Sequence, residues 1–363
     1  MESKRRRRTA PNVIAFQGER DFLSNFFPVS IIFGSIQFES SEQLYQFMKA
    51  RIFEDNASVE KLRQPMSARK AKRISHNIQG VTSKWDSMKL FVMMGVLIRK
   101  FSDSSELRSL LLGTEGAVLA EATKDKFWAA GFGRHEIYHG LPFRGRNYLG
   151  QLLGQLRSYF FGTFTFPPIL FISDSQGRNV PVDSRICKIM VPGAKIQTLF
   201  VLASIAYHVG FQHCVVFGGT NNMPINHRLP LLAPDGALQP RKVDAVVRQF
   251  RKGIESFFLA NKNARLVICE ILPRFNDAHR AGLRKQSKMQ LALKSVNKEI
   301  SALTDSFANQ GYRVETLKLY RNFNSPDLFA SSRFSSSGID LHINRKGAEL
   351  LLRRILDCTV NSS

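Results

Sequence analysis

The stretch ILFISDSQGR, residues 169–178, decides how the second half of this chain is interpreted. It is an apolar run that stops at Ser173-Asp174-Ser175 and turns through Gly177. Taken alone, a serine directly after a buried strand is more often a helix N-cap than a nucleophile. Pro167 and Pro168 precede the run and mark the seam between two halves with different patterns.

After the seam, short apolar runs alternate with amphipathic stretches. The pattern predicts strands at residues 169–172, 186–191, 215–218, 266–271 and 313–317, and helices at residues 195–209, 242–260, 289–309 and 348–356. Such alternation is typical of right-handed β-α-β units around a parallel sheet. We therefore predict a three-layer α/β domain over residues 166–363, with its ligands at the carboxyl ends of the strands.

Polar loops follow three of these strands and precede the last helix. They contain Ser175, Gly193, Asn221 and His342, in that order. Each residue alone has an ordinary structural explanation as a cap, a turn or a surface side chain. Together they supply what acyl-ester hydrolysis needs: a histidine that accepts the serine proton, and N–H groups that hold the oxyanion.

This order resembles that of the SGNH (GDSL-type) hydrolases over residues 168–358. The resemblance implies that Ser175 is the nucleophile, that His342 is the base, and that Gly193 and Asn221 hold the oxyanion. The run ILPR at residues 271–274, together with a helical asparagine at position 297, also resembles SGNH-like domains of mobile retroelements.

The third member of the predicted triad departs from the family pattern. The family places an aspartate three residues before the histidine, where this chain has Ile339, so Asp340 is the candidate from the adjacent position. Neighbouring residues of an extended loop point to opposite sides. A Ser175–His342 dyad and assistance from Asp327 remain alternatives, and so does a domain that binds without catalysis.

The first half begins with a predicted strand at residues 13–16 and a strand pair at residues 29–33 and 35–38. Either Ser40 or Ser41 can cap the helix that follows. One face of this helix carries a carboxylate, a phenol, an amide and an amine, which belong to Glu42, Tyr45, Gln46 and Lys49. An ordinary solvated face is the alternative interpretation.

Further helices are predicted at residues 68–74, which are basic, from Trp85 to residue 101, and at residues 107–112. Ordered motifs across this half carry a resemblance: FLSNFFP at residues 22–28, SSEQLYQFMKA at 40–50, Trp85, D-x-x-W at 125–128 and G-x-N-x-L-G-x-x-L-x-x-x-R at 145–157. The set resembles the NADAR (YbiA-like) family over residues 13–160. The resemblance implies a mostly helical α+β domain over residues 13–165.

The NADAR resemblance also implies a chemistry, the cleavage of an N-glycosidic bond to a ribose phosphate or ADP-ribose-type group. Members act on riboflavin-pathway intermediates or on ADP-ribosylated nucleobases. Breaking such a bond builds positive charge on the sugar, which a carboxylate stabilises while it activates water. The implied catalytic residues are Glu42, Trp85 and Asp125, and the implied substrate-binding residues are Asn25, Tyr45, Gln46, Lys49, Trp128 and Asn147.

One departure from the NADAR pattern concerns the fit of the substrate. The family has W-G-x-G where this chain has Trp128-Ala129-Ala130-Gly131. A methyl group at Ala129 can crowd a close approach of the backbone. The acid-base residues are unaffected by this change.

The net charge of +23 predicts a polyanionic partner. Lys and Arg exceed Asp and Glu in residues 1–165 (25 against 15) and again in residues 166–363 (27 against 14). Because both halves are basic, the charge does not come from a single tail, and nucleic acid is the simplest partner. The alternative is a charge that serves solubility alone.

The remaining features concern location and cofactors. Residues 1–12 form a predicted basic arm whose run KRRRR, at 4–8, suits nuclear import or phosphate binding. Four widely spaced cysteines without a CxxC pair indicate a reducing, intracellular compartment, and no apolar run is long enough to cross a membrane. No cofactor is expected. No metal is expected either, since the histidines at 135 and 139 fall in a predicted loop.

Three interpretations follow. The first is a bifunctional protein in which an N-glycosidase is fused to an SGNH esterase and works on or near nucleic acid. The second is a nucleic-acid-binding accessory protein, encoded by a mobile element, whose two enzyme folds have drifted. The third is a soluble metabolic glycosidase that acts on free nucleotides. The sequence does not fix the oligomeric state.

Overall fold

The computed structural model describes residues 12–208, 210–223, 239–273, 288–330 and 342–360. It divides into two compact units. The first holds residues 1–50, 54–80 and 90–165, and the second holds residues 51–53, 81–89 and 166–363. Apart from its last residue, the predicted basic arm at residues 1–12 lies outside the described residues.

The first unit is mostly helical, as the resemblance implied. Its strands are β1 (Val13–Phe16), β2 (Ile31–Phe33), β3 (Ile36–Phe38) and β4 (Val118–Glu121), and its helices are α1 (Ser41–Ile52), α2 (Asn56–Leu62), α3 (Ala68–Ser75), α4 (Trp85–Ser102), α5 (Ser105–Leu112), α6 (Arg134–Tyr138) and α7 (Tyr148–Phe160). Strands β2 and β3 form an antiparallel hairpin, and β1 pairs with β4 in parallel. Parallel pairing joins distant parts of the chain, and α1 to α5 fill the interval between these two strands.

Polar caps begin several of these helices. The Ser40 hydroxyl accepts the N–H of Gln43 at 3.2 Å, so of the two candidate serines it is Ser40 that caps α1. Asp55, Ser67 and Ser104 cap α2, α3 and α5 in the same way. Each bond satisfies an N–H group that has no partner inside its helix. The sequence therefore fixes where these helices begin.

The second unit is built on a five-stranded parallel sheet. Its strands are β5 (Ile169–Ser173), β6 (Ile186–Met190), β7 (His213–Phe217), β8 (Arg265–Cys269) and β9 (Arg313–Leu317), in the spatial order β6-β5-β7-β8-β9. All four pairings are parallel. Strands β5 and β7 are buried along their whole length, as is expected of strands covered on both faces.

Helices cover both faces of this sheet and make three layers. They are α8 (Ile196–Ala206), α9 (Pro240–Ala260), α10 (Lys288–Ala308) and α11 (Arg345–Val360). On one face, Phe171 and Phe217 pack with Leu351 and Ile355 of α11 in a single apolar cluster. Helix α8 contacts β5 and β7, α10 contacts β9, and α9 packs between them. The predicted three-layer α/β fold is confirmed.

Asn297, which the sequence singled out, fixes α10 to the end of β8. Its Oδ1 accepts the N–H of Ile271 and its Nδ2 donates to the carbonyl of the same residue, both at 2.9 Å. Both partners are buried, so the pair satisfies backbone groups that water does not reach. Arg274, the last residue of the ILPR run, lies outside the described residues.

Two features of the structure concern the environment of the protein, namely the state of its cysteines and the length and apolarity of its helices. All four cysteines are free thiols, two buried and two half-buried. Burial raises the pKa of the Cys187 thiol to about 11, which makes it a poor nucleophile. Within the described residues, no helix has the length and apolarity that a membrane span requires.

Two helical glycines, one in each unit, allow a test of how tightly the helices that cover the parallel sheet are packed. A methyl group at Gly253 in α9 would meet the Phe200 ring of α8 at 2.1 Å, whereas one at Gly154 in α7 would meet nothing within 4 Å. We expect Gly253→Ala to destabilise the second unit by about 1–3 kcal/mol through overpacking. Gly154→Ala should stabilise the first by roughly 0.5–1 kcal/mol through helix propensity. Urea unfolding of both variants checks this, and a stabilised Gly253→Ala would show that Phe200 has room to move.

Candidate active sites

In the first unit, the start of α1 places Glu42 inside the protein. The backbone N–H of Glu42 donates to the carbonyl of Asn25 at 3.0 Å, which joins the helix to the FLSNFFP loop. Because Glu42 lies in the first turn, its carboxylate also faces the positive end of the helix dipole. Only 4% of the residue is exposed. A charged group at this depth requires partners.

Two side chains supply those partners. Nε2 of Gln46, one turn further along α1, donates to Glu42 Oε1 at 2.8 Å. From α3, the Lys72 ammonium lies 3.6 Å from the same oxygen. Tyr45 is also buried and meets the Trp128 ring edge-to-face, with centroids 5.8 Å apart. The solvated-face interpretation of this helix is therefore wrong, because Glu42, Tyr45 and Gln46 are all buried.

A second ammonium extends the positive charge beside Glu42. Lys49 lies on the same face of α1 and is half-buried. Burial lowers the pKa of Lys49, the charge of Lys72 lowers it further, and Glu42 opposes both effects. The predicted residues Glu42, Tyr45, Gln46 and Lys49 are thus brought together, and Lys72 joins them from outside the prediction.

Two buried oxygens at this site lack a partner. Within the described residues, Asn25 Oδ1 and Gln46 Oε1 are buried and accept no hydrogen bond. Asn25 Nδ2 contacts the sulfur of Met93 at 3.3 Å, which is a weak acceptor. Buried polar atoms are seldom left unsatisfied in native proteins. Both oxygens are therefore suited to accept hydrogen bonds from hydroxyl or amino groups of a ligand.

Glu121 is a carboxyl group that the sequence analysis left out of the site. It ends β4, and its backbone N–H donates to Asn147 Oδ1 at 3.1 Å. Burial, followed by the charges of Glu42 and Asp125, raises the pKa of Glu121 to about 7, against an opposing effect of Lys72. Its sequence context, VLAEAT, gave no sign of this burial. The site therefore holds one ion-paired carboxylate and one carboxyl that is about half protonated at neutral pH.

Asp125 and Asn147 shape the loop around this site. Asp125 Oδ1 accepts the backbone N–H groups of Phe127 and Trp128, at 2.7 and 2.6 Å. Asn147 uses its amide on the backbone of β4, because Nδ2 donates to the Leu119 carbonyl at 2.8 Å while Oδ1 binds the Glu121 N–H. Both side chains thus have structural bonds, and their predicted contacts with a substrate stay predictions.

The two tryptophans and Ala129 have different surroundings. Trp128 is half-buried against Tyr45 and Phe127. Trp85 begins α4, contacts Phe53 edge-to-face at 6.2 Å and belongs to a segment grouped with the second unit, so its catalytic role stays a prediction. The methyl group that distinguishes Ala129 from the family glycine is fully buried.

A buried lysine supports the loop that carries Asn25. Lys100 of α4 is 0% exposed, and its Nζ donates to the carbonyl of Ser24 at 2.8 Å. The ammonium also lies 5.6 Å from the Phe27 ring centroid and 5.1 Å from that of Phe101. Burial lowers the pKa of Lys100 to about 7, although Asp21 acts in the opposite direction.

In the second unit, the end of β5 forms a second candidate site. Asp174 is fully buried, and its Oδ1 accepts the N–H of Gln176 at 2.9 Å at the start of a short 3-10 helix, Ser175–Asn179. This turn holds Ser175 at the carboxyl edge of the sheet. His342 Nε2 lies 3.0 Å from Ser175 Oγ, although 167 residues separate the two in sequence. The predicted nucleophile and base are thus brought together.

The surroundings of His342 suit a base. Partial burial lowers the pKa of His342, and the positive charge of Arg178 lowers it further, so the imidazole is neutral at neutral pH. Asp340, the triad candidate, lies outside the described residues. The carboxylate of Asp327, the alternative, accepts the hydroxyl of Ser325 at 3.3 Å.

The two predicted oxyanion donors differ in availability. Gly193 has a φ of 67° in the turn after β6, and within the described residues its N–H makes no hydrogen bond. Asn221 Nδ2 donates to Asp174 Oδ2 at 3.2 Å and to the Ala194 carbonyl at 2.9 Å. Asn221 therefore holds the loops together, and one of these bonds must be released before it can bind an oxyanion.

The structure corrects the predicted loop around two histidines. His135 and His139 lie on and directly after the short helix α6, with their Nε2 atoms 3.0 Å apart. The helical spacing i, i+4 places both rings on one side. Among the described residues there is no group of three or more side chains that could hold a metal ion.

Comparison with known proteins identifies relatives of the first unit. The model of the NADAR domain matches residues 15–160. The N-glycosidase YbiA of Escherichia coli is 35% identical over 136 residues, which cover 37% of this chain and 78% of YbiA. The chloroplastic riboflavin biosynthesis protein PYRR of Arabidopsis thaliana is 40% identical over 110 residues, but these cover 29% of this chain and only 17% of PYRR.

A solved structure extends the similarity beyond the matched half. A GDSL-like lipase from Bacteroides thetaiotaomicron aligns with a TM-score of 0.36 and 12% identity, over 58% of this chain and 98% of the lipase. An identity and a TM-score this low carry no argument about function, and the geometry of Ser175 and His342 does not depend on them.

The pKa of Glu121 can be measured directly. We expect Glu121 to titrate at about pH 7, because burial raises the pKa of its carboxyl from the usual 4.5. Carbon NMR of glutamate-labelled protein would follow the titration, and Glu121→Gln should remove it. Glu60→Gln, an exposed carboxyl of α2, serves as the matched control that leaves it in place. A Glu121 that titrates below pH 5 would contradict the burial described here.

Proposed function

Because the chain belongs to the NADAR family, which includes the N-glycosidase YbiA, we propose that its first unit hydrolyses the N-glycosidic bond between ribose and a nitrogen base. The substrate we propose is an ADP-ribose or ribose-phosphate group on a nucleobase or related base. The observation that carries the proposal is the buried, ion-paired Glu42 carboxylate beside two unsatisfied acceptor oxygens.

Glu42 has the environment that this reaction requires. As the bond from the anomeric carbon to nitrogen breaks, its electron pair stays with nitrogen and positive charge develops on the sugar. A carboxylate held in a site with little water stabilises that charge more strongly than water does. Glu42 then accepts a proton from the water that attacks the anomeric carbon. Gln46 holds the carboxylate in place for both steps.

Glu121 complements Glu42 as a proton donor. The departing nitrogen needs a proton, and Glu121, whose pKa is raised to about 7, is protonated in about half of the molecules at neutral pH and can provide it. Water thus adds its hydroxyl to the sugar and, through the two glutamates, a proton to the base. Proton exchange with solvent restores both groups.

The other side chains suit the remaining parts of the substrate. Asn25 Oδ1 and Gln46 Oε1 would accept hydrogen bonds from the ribose hydroxyls. Lys49 and Lys72 would bind the phosphates, since ammonium groups form charge-assisted hydrogen bonds with phosphate oxygens. Trp128 would lie against the base. The names of the relatives, an N-glycosidase and a riboflavin biosynthesis protein, favour bases of the nucleotide and flavin type.

A specific observation favours a second activity in the second unit. The Ser175–His342 hydrogen bond of 3.0 Å, the Gly193 N–H, which no group of the described residues accepts, and the lowered pKa of His342 support serine-dependent hydrolysis of an ester. His342 would take the Ser175 proton as the hydroxyl oxygen attacks the ester carbon, and the alcohol would leave with that proton, so that the acyl group stays on Ser175. Water, giving a proton to His342, would then attack the acyl carbon, release the acid and leave Ser175 to regain its proton from His342. A carboxylate that orients His342 would add up to about 10⁴ in rate, as in other triads.

The glycosidase proposal is tested by removing the charge of Glu42. We expect Glu42→Gln to lower kcat by at least about 100-fold, the usual contribution of a general acid or base. The assay follows the release of free ADP-ribose from an ADP-ribosylated nucleoside, and of ribose phosphate from an aminopyrimidine ribose phosphate. Glu60→Gln is the matched control, because it makes the same change on an exposed helix. If wild-type protein releases neither product, the glycosidase proposal fails, and the interpretation that remains is a nucleic-acid-binding protein whose enzyme folds have drifted.

The esterase proposal is tested with p-nitrophenyl acetate. We expect Ser175→Ala to abolish hydrolysis, while Ser184→Ala, an exposed serine of the same unit, leaves it unchanged. The base must be neutral and the pKa of His342 is lowered from 6.5, so the acid limb of the pH-rate profile should lie below pH 6.5. Equal rates for wild type and Ser175→Ala would end the esterase proposal.

A further inference from the structure

Helix α3 carries charges of a single sign. Its eight residues include Arg69, Lys70, Lys72 and Arg73, and no acidic residue. Ala68, Ala71 and Ser75 are buried and form the face that packs against the first unit. All four basic residues lie on the exposed side. The helix therefore presents a short, positively charged surface to solvent, which we call the α3 surface.

These charges work against the stability of the helix itself. The basic residues of the first turn lie near the positive end of the helix dipole, where a negative charge would be favourable. Arg69 and Arg73 are four residues apart and repel each other, as do the pairs three residues apart. A surface that serves only solubility carries both signs interspersed. Folding and solubility thus leave the pattern unexplained, whereas a polyanionic partner explains it.

Most of this positive charge is available to a partner. Arg69 pairs with Glu19 at 3.1 Å, but both side chains are largely in water, where such a pair is weak. In the described part of the chain, Lys70 and Arg73 form no ion pair. Phosphate groups that approached the α3 surface would therefore compete with little more than water.

Lys72 connects the α3 surface to the candidate active site. Its side chain is 46% exposed, yet its Nζ lies 3.6 Å from the buried Glu42 carboxylate. Its charge also acts on Lys49 and Glu121. Arg69 lies three residues before Lys72 and four residues before Arg73, so the three side chains are neighbours on the helix. The positive charge therefore continues from the candidate active site at Glu42 to the α3 surface.

We propose that the α3 surface binds the sugar–phosphate backbone of a single-stranded nucleic acid whose modified base occupies the Glu42 pocket. The identity of the group in the pocket rests on the proposed glycosidase activity, whereas the binding surface stands on its own charge and exposure. A single strand is the expected partner because Glu42 is only 4% exposed, and a base stacked inside a duplex would first have to be flipped out, at a cost in free energy, to reach such a group.

The test compares three variants that each change three exposed basic residues. The first, R69Q/K70Q/R73Q, removes charge from the α3 surface and keeps Lys72. The second, R69K/K70R/R73K, exchanges the same residues and keeps their charge. The third, R241Q/R248Q/K252Q, removes equal charge from exposed positions on α9 in the second unit. Binding of an unmodified single-stranded oligonucleotide is titrated across salt, and kcat/KM is measured on an ADP-ribosylated oligonucleotide and on an ADP-ribosylated nucleoside.

We expect R69Q/K70Q/R73Q to weaken binding of the single strand by about tenfold or more. The slope of log K against log salt should shrink by about 2, since each lost phosphate contact on a single strand contributes about 0.7. Its kcat/KM should fall in parallel on the oligonucleotide and stay within about twofold of wild type on the nucleoside. The other two variants should resemble wild type in both assays.

Several outcomes overturn the proposal. If R69Q/K70Q/R73Q binds the single strand as tightly as wild type, the α3 surface is not the binding surface. If the α9 variant weakens binding by the same factor, the loss is an effect of net charge. If a duplex binds more tightly than the single strand, the proposal of a single-stranded partner is contradicted. An equal loss of kcat/KM on the nucleoside means that the pocket was damaged. If wild type releases no ADP-ribose from either substrate, the proposed activity fails, and the titration with unmodified oligonucleotide still decides on the surface.

Discussion

The first unit depends on the burial of the Glu42 carboxylate. A charge moved out of water costs several kcal/mol unless partners replace the lost hydration. Here the partners come from separate elements: Gln46 from the same helix and Lys72 from α3. The Asn25 carbonyl fixes the first turn of α1 by accepting the Glu42 N–H. Two motifs of this half, the FLSNFFP loop and the first turns of α1, thus position a single buried charge, and Lys72 of α3 neutralises it.

The second unit reaches a comparable result by a different route. A parallel sheet places the ends of all its strands at one edge, so residues distant in sequence meet there. Buried Asp174 acts as an organiser, because it caps the turn that carries Ser175 and binds the amide of Asn221. The first unit therefore organises a buried charge, whereas the second organises a half-buried hydroxyl at the end of a buried strand.

Much of this could be predicted from the sequence, and the misses have physical causes. Long periodic segments such as α4 and α9, and the serine cap of α1, depend on local pattern and were predicted. Strand β4 was missed because VLAE is short and gains its stability from pairing with β1, over 100 residues away in sequence. Glu121 was missed as a site residue for the same reason, since its pKa depends on burial and neighbouring charges. The bonds that Asn147 and Asn221 make to the backbone and loops were not predicted, because they join segments that are distant in sequence, and the ligand contacts of both residues stay predictions.

The buried Lys100 and Glu121 together give the first unit an unusual coupling between folding and protons. The folded state holds a proton on Glu121 that the unfolded chain releases above pH 4.5, so this group makes the unit less stable as the pH rises towards 7. The folded state gives up the Lys100 proton near pH 7 while the unfolded chain keeps it to about 10.5, so this group makes the unit more stable above pH 7. Their joint contribution has a minimum near neutral pH, where many proteins have their maximum. Of these two groups, Glu121 favours folding in acid and Lys100 favours folding in base.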